Sequence, residues 1–242
     1  MIEPVISIVA PAIRPFLWQE LYAMLCAENN VPFEIVYCGN VRPEFELPEN
    51  FIHIFNESKP PLCYETAWRN AKGEFLLIIP DDVIVPPRTV DVMYSYMQRM
   101  QNEKAIISAR FSDKLGGPPL DSHFCFDMEN PKSPVLGCAT MTRRKVWEEL
   151  GGFDRRFELM WADTDLQMRI LEASGHPFVV PSENYIIRER IHVYSRLADL
   201  TKGPLSDRIL LDSLWKNSDG STSETRLEPV QPYTKDEINI IR

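Results

Sequence analysis

Apolar residues in this chain fall in short runs, each cut off by a glycine, a proline or an acid. Val5-Ile6-Ser7-Ile8-Val9-Ala10 is β-branched and closed by Pro11, which predicts a buried strand ending in a loop. An amphipathic pattern from about Pro15 to Glu28 predicts the helix that follows. Phe33 to Cys38, closed by Gly39-Asn40, and Phe51 to Phe55 read as the second and third strands. None of these runs alternates with polar residues, so both faces are expected to be covered, as in a parallel sheet. A helix from about Leu62 to Ala71, stopped near Gly73, leads into Glu74-Phe75-Leu76-Leu77-Ile78-Ile79. That run is the most apolar of the chain and predicts the centre of the sheet.

After Pro86-Pro87 the pattern gives a helix from about Arg88 to Gln101 and a strand over Ala105 to Arg110. Residues 111 to 134 are rich in Pro, Gly, Ser and Asp and predict a long loop. Phe178 to Pro181 and Tyr185 to Ile187 add further short apolar runs. From about residue 200 the character changes: Ser206 can cap a helix to about Lys216, and Asn217 to Ser223 predicts a flexible link to a polar tail. Strands alternating with helices predict an α/β fold around a mostly parallel sheet. The expected division is residues 1–200 as one domain and 201–242 as a C-terminal helix and tail.

Composition agrees with that division. A chain of 242 residues, 44% hydrophobic and 25% charged, can bury one large core but hardly two. The net charge of −9 and the lack of a basic run argue against a nucleic-acid partner. The five cysteines form no CxxC pair, and Cys26, Cys38 and Cys138 lie within apolar stretches, so reduced, buried thiols are expected. The N-terminus has no basic and apolar signal pattern, and the apolar runs are too short to cross a bilayer. A cytoplasmic protein without an integral membrane segment is therefore expected; its oligomeric state is open.

Chemistry enters at strand ends and helix starts. Pro80-Asp81-Asp82 closes the central strand, and in open parallel sheets ligands bind outside the carboxyl ends of the strands. Two adjacent acids there could hold a hard divalent cation, although Asp is also common in any strand-to-turn exit. Downstream, Gly151-Gly152-Phe153-Asp154 is followed by Asp163-Thr164-Asp165-Leu166. The glycines are suited to ending a helix over Arg144 to Leu150, and Phe153 to anchoring the turn. Asp165 is suited to capping a helix that begins near Leu166. Trp161 reads as a core indole, or as a platform for a sugar face.

The stretch from Gly137 to Asp154, with its Gly-led strand, helix and Gly-Gly-Phe-Asp, resembles glycosyltransferase family 2. Asp163-Thr164-Asp165-Leu166, Arg169 and Gly175 occupy the places of that family's acidic pair, helix arginine and closing glycine. The resemblance runs over roughly residues 4 to 195. It implies a GT-A fold, a Rossmann-like nucleotide-binding half joined to a smaller acceptor-side subregion, and transfer of a sugar from a nucleotide-diphosphate donor to an acceptor hydroxyl. By position, Asp163 matches the base, and Asp82 matches the last acid of the Asp-x-Asp motif that ligates Mn²⁺ or Mg²⁺. Pro80 stands at that motif's first position, with Asp81 able to compensate. His192 stands where many members carry a further metal ligand, although a His between apolar residues is commonly structural. Pro11, Ala12 and Arg14 match the loop that meets the nucleotide, and Arg14 could pair with a phosphate or a base oxygen. The family's uracil-reading Asp is replaced by Cys38-Gly39-Asn40, leaving Asn40 or backbone groups to meet a UDP donor. The mechanism implied is inverting.

Two other readings fit parts of the sequence. A degenerate relative that binds a nucleotide or glycan without turnover accommodates the two departures at Pro80 and Cys38. A nucleotidyltransferase on a similar sheet would need a Gly-rich, basic phosphate loop after the first strand, and Ala10-Pro11-Ala12-Ile13-Arg14 is a poor one.

Overall fold

The expected runs form strands, and the order in which they pair is what brings the acids to one edge. A computed structural model describes residues 3–112, 139–180, 187–189, 204–221 and 223–239. In chain order the elements are β1 (Ile6–Pro11), α1 (Trp18–Cys26), β2 (Phe33–Gly39), β3 (Phe51–Phe55), α2 (Pro60–Asn70), β4 (Phe75–Ile78), β5 (Val83–Ile84), α3 (Thr89–Arg99) and β6 (Ala105–Ser108). They continue with β7 (Phe111–Ser112), β8 (Thr140–Arg143), α4 (Arg144–Glu149), α5 (Ala162–Glu172), β9 (His176–Val179), β10 (Ile187–Glu189), α6 (Pro204–Trp215) and α7 (Lys235–Asn239). Seven strands make one sheet in the order β3-β2-β1-β4-β8-β6-β9. β4 is its middle strand, as its unbroken apolar run requires.

Among the described strands of this sheet only β8 runs against its neighbours, pairing antiparallel with both β4 and β6; the remaining pairs in it are parallel. Alternate residues of each strand then feed two separate cores. Ile8, Tyr37, Leu77 and Ile107 face α1 and α3 on one side. Val9, Val36, Leu76, Ile78 and Ile106 face α2, α4, α5 and α6 on the other. This is the reason the strands read as continuous apolar runs rather than alternating ones. A second, three-stranded sheet, β5-β10-β7, stands just past the carboxyl ends of β4 and β6.

The Gly-Gly-Phe-Asp turn packs on an acid that the sequence reading passed over. Glu65 of α2 is fully buried and accepts from the Trp68 indole N–H at 2.7 Å, from Arg69 Nε at 2.6 Å and from the Phe153 backbone N–H at 3.0 Å. Gly151 and Gly152 both take left-handed backbone, with φ of 79° and 71°. A Cβ on Gly152 would come within 2.4 Å of Glu65 Oε2. Gly152→Ala is therefore expected to cost more than about 2 kcal/mol in urea denaturation, from backbone strain and displacement of a buried carboxylate together.

Two local expectations need correction. Cys26 is the last residue of α1 and is exposed, because the helix's buried stripe runs through Trp18, Leu21 and Leu25 instead. α5 begins at Ala162, four residues before Leu166, so Asp165 lies within its first turn rather than capping it. The N-cap is Trp161, in left-handed backbone at φ 66°.

The C-terminal segment is held down by specific bonds. Leu211, Leu214 and Trp215 of α6 enter the second core. The expected flexible link closes as a turn in which Asn217 N–H donates to Ser221 O at 2.8 Å and Ser223 N–H donates to Trp215 O at 2.7 Å. Most of the predicted loop 111 to 134, together with Cys125, Cys138 and His192, lies outside the described residues.

Candidate active site

The carboxyl edge of the sheet is built from the ends of β1, β2 and β4. β1 pairs with β2 on one side and β4 on the other, so the Pro11 loop, Gly39 and Pro80-Asp81-Asp82 converge. The fit is close. A Cβ on Gly39 would lie 1.8 Å from the Ala12 carbonyl oxygen, so only glycine lets the end of β2 rest against the β1 loop. The Ala12 N–H donates to Cys38 O at 2.9 Å across the same junction.

Asp81 is buried and committed to that loop. Its Oδ2 accepts from the Ile13 N–H at 2.8 Å, the Arg14 N–H at 2.7 Å and the Trp18 indole N–H at 3.2 Å, while Oδ1 accepts from Arg14 Nη1 at 2.7 Å. Asp82 is held more lightly. Its contact with Arg14 is an ion pair of 3.4 Å, and 13% of its side chain remains exposed. Burial pushes the Asp82 carboxyl up, Arg14 pulls it down, and the charge of Asp81 raises it again, with a net rise above the ordinary value. Arg14 thus bridges the two acids, and Asp82 is the one with capacity left for a ligand.

At the end of β2, Asn40 is exposed and Cys38 is buried. The Cys38 thiol is pushed far up, first by its neighbour Cys63 and then by burial, so it stays neutral and cannot act as an acidic reader of a base. His53 of β3 stands beside this end, with Nε2 3.2 Å from Gly39 O and its ring 5.0 Å from that of Trp18.

Asp163 reaches the same edge by another route. β9 runs parallel to β6 and follows α5, so α5 descends against the strands and starts at their carboxyl side. One turn into the helix, Gln167 Nε2 donates to Thr140 Oγ1 at 3.2 Å, and Thr140 pairs with Ile78, the last residue of β4. The Asp163 carboxylate is half-buried and accepts the Thr164 N–H at 2.9 Å. Burial raises its proton affinity above the ordinary carboxylate value, and the backbone N–H of Thr164 offsets only part of this.

Asp165 faces the other way, into the protein. It is fully buried and accepts from Arg169 Nε at 2.9 Å, Trp215 Nε1 at 3.0 Å and Arg226 Nε at 2.8 Å. Arg226 also reaches Asp154 at 2.6 Å. Sequence reasoning missed this cluster because Arg226 comes from the tail. β10 sets Glu189 opposite Val83, next to Asp82, while the predicted ligand His192 falls outside the described residues. Among the described residues no three His, Cys, Asp or Glu side chains gather as a metal cage.

The fold has counterparts among solved structures. The chain superposes on the Staphylococcus aureus TarS fragment 1-349 with a TM-score of 0.58 at 16% identity, over 76% of this chain and 60% of that one. It matches the same fragment in complex with UDP-GlcNAc with a TM-score of 0.55 at 15% identity. The chain shares the α/β fold of that fragment, GT-A. In sequence, the chain is 29% identical over 222 residues to the O-antigen biosynthesis protein RfbC of Myxococcus xanthus. That match covers 76% of this chain and 17% of RfbC, so the chain spans a small part of its curated relative. No family model matches it. Among the described residues, no helix is long and apolar enough to cross a membrane.

Proposed function

We propose that this chain transfers a sugar from a nucleotide-diphosphate donor to an acceptor hydroxyl at the carboxyl edge of the sheet. The observation that carries the reading is convergence: Asp82 and Asp163, about eighty positions apart in sequence, reach that edge from β4 and from the first turn of α5. The TarS fragment, of the same fold, forms complexes with UDP and UDP-GlcNAc, which supports a UDP-sugar as the first donor to test.

Asp82 has the properties of a carboxylate that shares a cation with a ligand. It is partly accessible, incompletely neutralised by Arg14 and raised in proton affinity. Mg²⁺ or Mn²⁺ bound through one carboxylate plus diphosphate oxygens needs no protein cage. Such an ion would neutralise the charge that grows on the departing diphosphate. Asp81, with both oxygens engaged by the β1 loop, shapes that loop rather than joining a metal. Arg14 holds the acid pair together against their mutual repulsion and stands next to Pro11 and Ala12, where the nucleotide would lie.

Asp163 accepts the acceptor's hydroxyl proton as that oxygen attacks the anomeric carbon. The new carbon–oxygen bond forms as the bond to the diphosphate breaks, and one displacement inverts the anomeric centre. A non-catalytic relative remains the second reading, favoured by Cys38-Gly39-Asn40 and by Pro80. A thermal-shift panel of nucleotide sugars with and without Mn²⁺ separates the two. We expect a metal-dependent upward shift with at least one donor, lost in Asp82→Ala. Wild-type protein that binds a donor but transfers its sugar to no acceptor, water included, would favour the second reading.

A further inference from the structure

The turn that delivers Asp163 to the site has its apolar anchorage at its two ends, where Phe157 and Trp161 pack on the second core. Phe157 is buried, but Met160 is 40% exposed and the Glu158 side chain 57% exposed. The chain nevertheless enters α5 through Trp161 in left-handed backbone, which a large side chain adopts only when its surroundings impose it. The backbone just before it is held from α6. Asp207, 1% exposed, captures the backbone N–H groups of three consecutive residues. Its Oδ2 accepts from Leu159 at 2.7 Å and Met160 at 2.8 Å, and the Glu158 N–H lies 3.1 and 3.2 Å from Oδ1 and Oδ2. The next residue, Arg208, lays its guanidinium 5.3 Å from the centre of the Trp161 ring. At the base of the same stretch, Arg226 joins Asp154 to Asp165.

We infer that Asp207 is a positioning residue for sugar transfer: it fixes the 158–161 turn so that Asp163 meets the acceptor hydroxyl. The C-terminal segment is thereby a working part of the transfer site, although it touches no substrate. This rests on Asp163 serving as the base. A base displaced by about 1 Å loses on the order of 10²-fold in rate while the donor, held at the other side of the edge, is unaffected.

Steady-state kinetics with the donor found in the panel, on the full chain, test it. Asp207→Ala is expected to lower kcat by about 10- to 100-fold with donor KM within about twofold. Asp207→Asn keeps one oxygen able to accept from Leu159 and Met160 and is expected to restore most of kcat. Lys59→Ala, which removes only an exposed ion pair to Glu158, is the control and should leave kcat unchanged. Amide hydrogen exchange on the wild type gives a reading that does not depend on any variant folding: the Leu159 and Met160 amides should be protected although Leu159 is only half-buried and Met160 is exposed. Wild-type kcat in Asp207→Ala, equal losses in the Ala and Asn variants, or unprotected amides at 159 and 160 would overturn the inference. Those results leave the transferase reading standing, whereas a wild-type chain without transfer activity removes both.

Discussion

Asp163→Asn is expected to lower kcat by about 10²- to 10⁴-fold while donor affinity stays within about twofold. Asparagine keeps the oxygen that accepts the Thr164 N–H, so the helix start is retained and only the capacity to take a proton is lost. The same substitution should raise stability at neutral pH. The Asp163 carboxyl is raised in the folded protein, so folding favours its protonated form. Its contribution is greatest at a pH below the unfolded value and is lost as pH rises through the folded one. An amide carries no such penalty. A variant that loses turnover yet melts higher would mark a site where stability is sacrificed for chemistry. Because a base must be ionised, the acid limb of kcat against pH should lie above the ordinary aspartate value of 3.8. Retention of turnover by Asp163→Asn would remove Asp163 from the role of base.

The second large effect concerns stability. Arg226→Met is expected to cost about 3–5 kcal/mol in urea denaturation, because it leaves Asp154 and Asp165 buried with one cation fewer. In a domain of this size that corresponds to a fall in Tm on the order of 10 °C. Breaking the exposed Lys145–Glu103 pair should leave the midpoint where it is. The pH dependence carries a further signature. Burial pushes the Asp154 carboxyl up, but bonds from Arg156, Arg226 and the Gln231 backbone overcome that and hold it below the ordinary range. Its stabilisation is complete above the unfolded value and disappears as pH falls through the folded one. Without Arg226 that loss on acidification should be smaller. A variant as stable as the wild type, with an unchanged acid limb, would show that the tail does not brace this part of the fold.

The elements the sequence made legible are those whose cause is local. Phe75 to Ile78 is apolar on both faces because the strand is central, and the pattern says so directly. Gly151-Gly152 marks a turn because two successive left-handed residues leave glycine as the unstrained choice. What stayed hidden depends on contacts between distant residues. That Asp81 is saturated and Asp82 is not follows from a loop 67 and 68 positions away. Glu65 looks like any helix acid until Trp68, Arg69 and Phe153 are seen around it. The turn ahead of α5 is bonded by Asp207 and the buried Asp165 by Trp215, both from a predicted helix whose partners the sequence does not name, and Asp165 is met again by Arg226 from a segment whose composition suggested a loose tail. The exposed thiol of Cys26 shows the same limit on a smaller scale, since an apolar neighbourhood in sequence does not fix which side of a helix faces water.

The central claim is a donor site that needs a cation at the end of β4. Calorimetric titration of UDP and other nucleoside diphosphates into the wild-type chain with Mn²⁺, repeated after chelation with EDTA, tests it most directly. One nucleotide bound per chain with metal, and none after chelation, is the result expected. Failure of every nucleoside diphosphate to bind with Mn²⁺ present, or binding that chelation leaves unchanged, would contradict it.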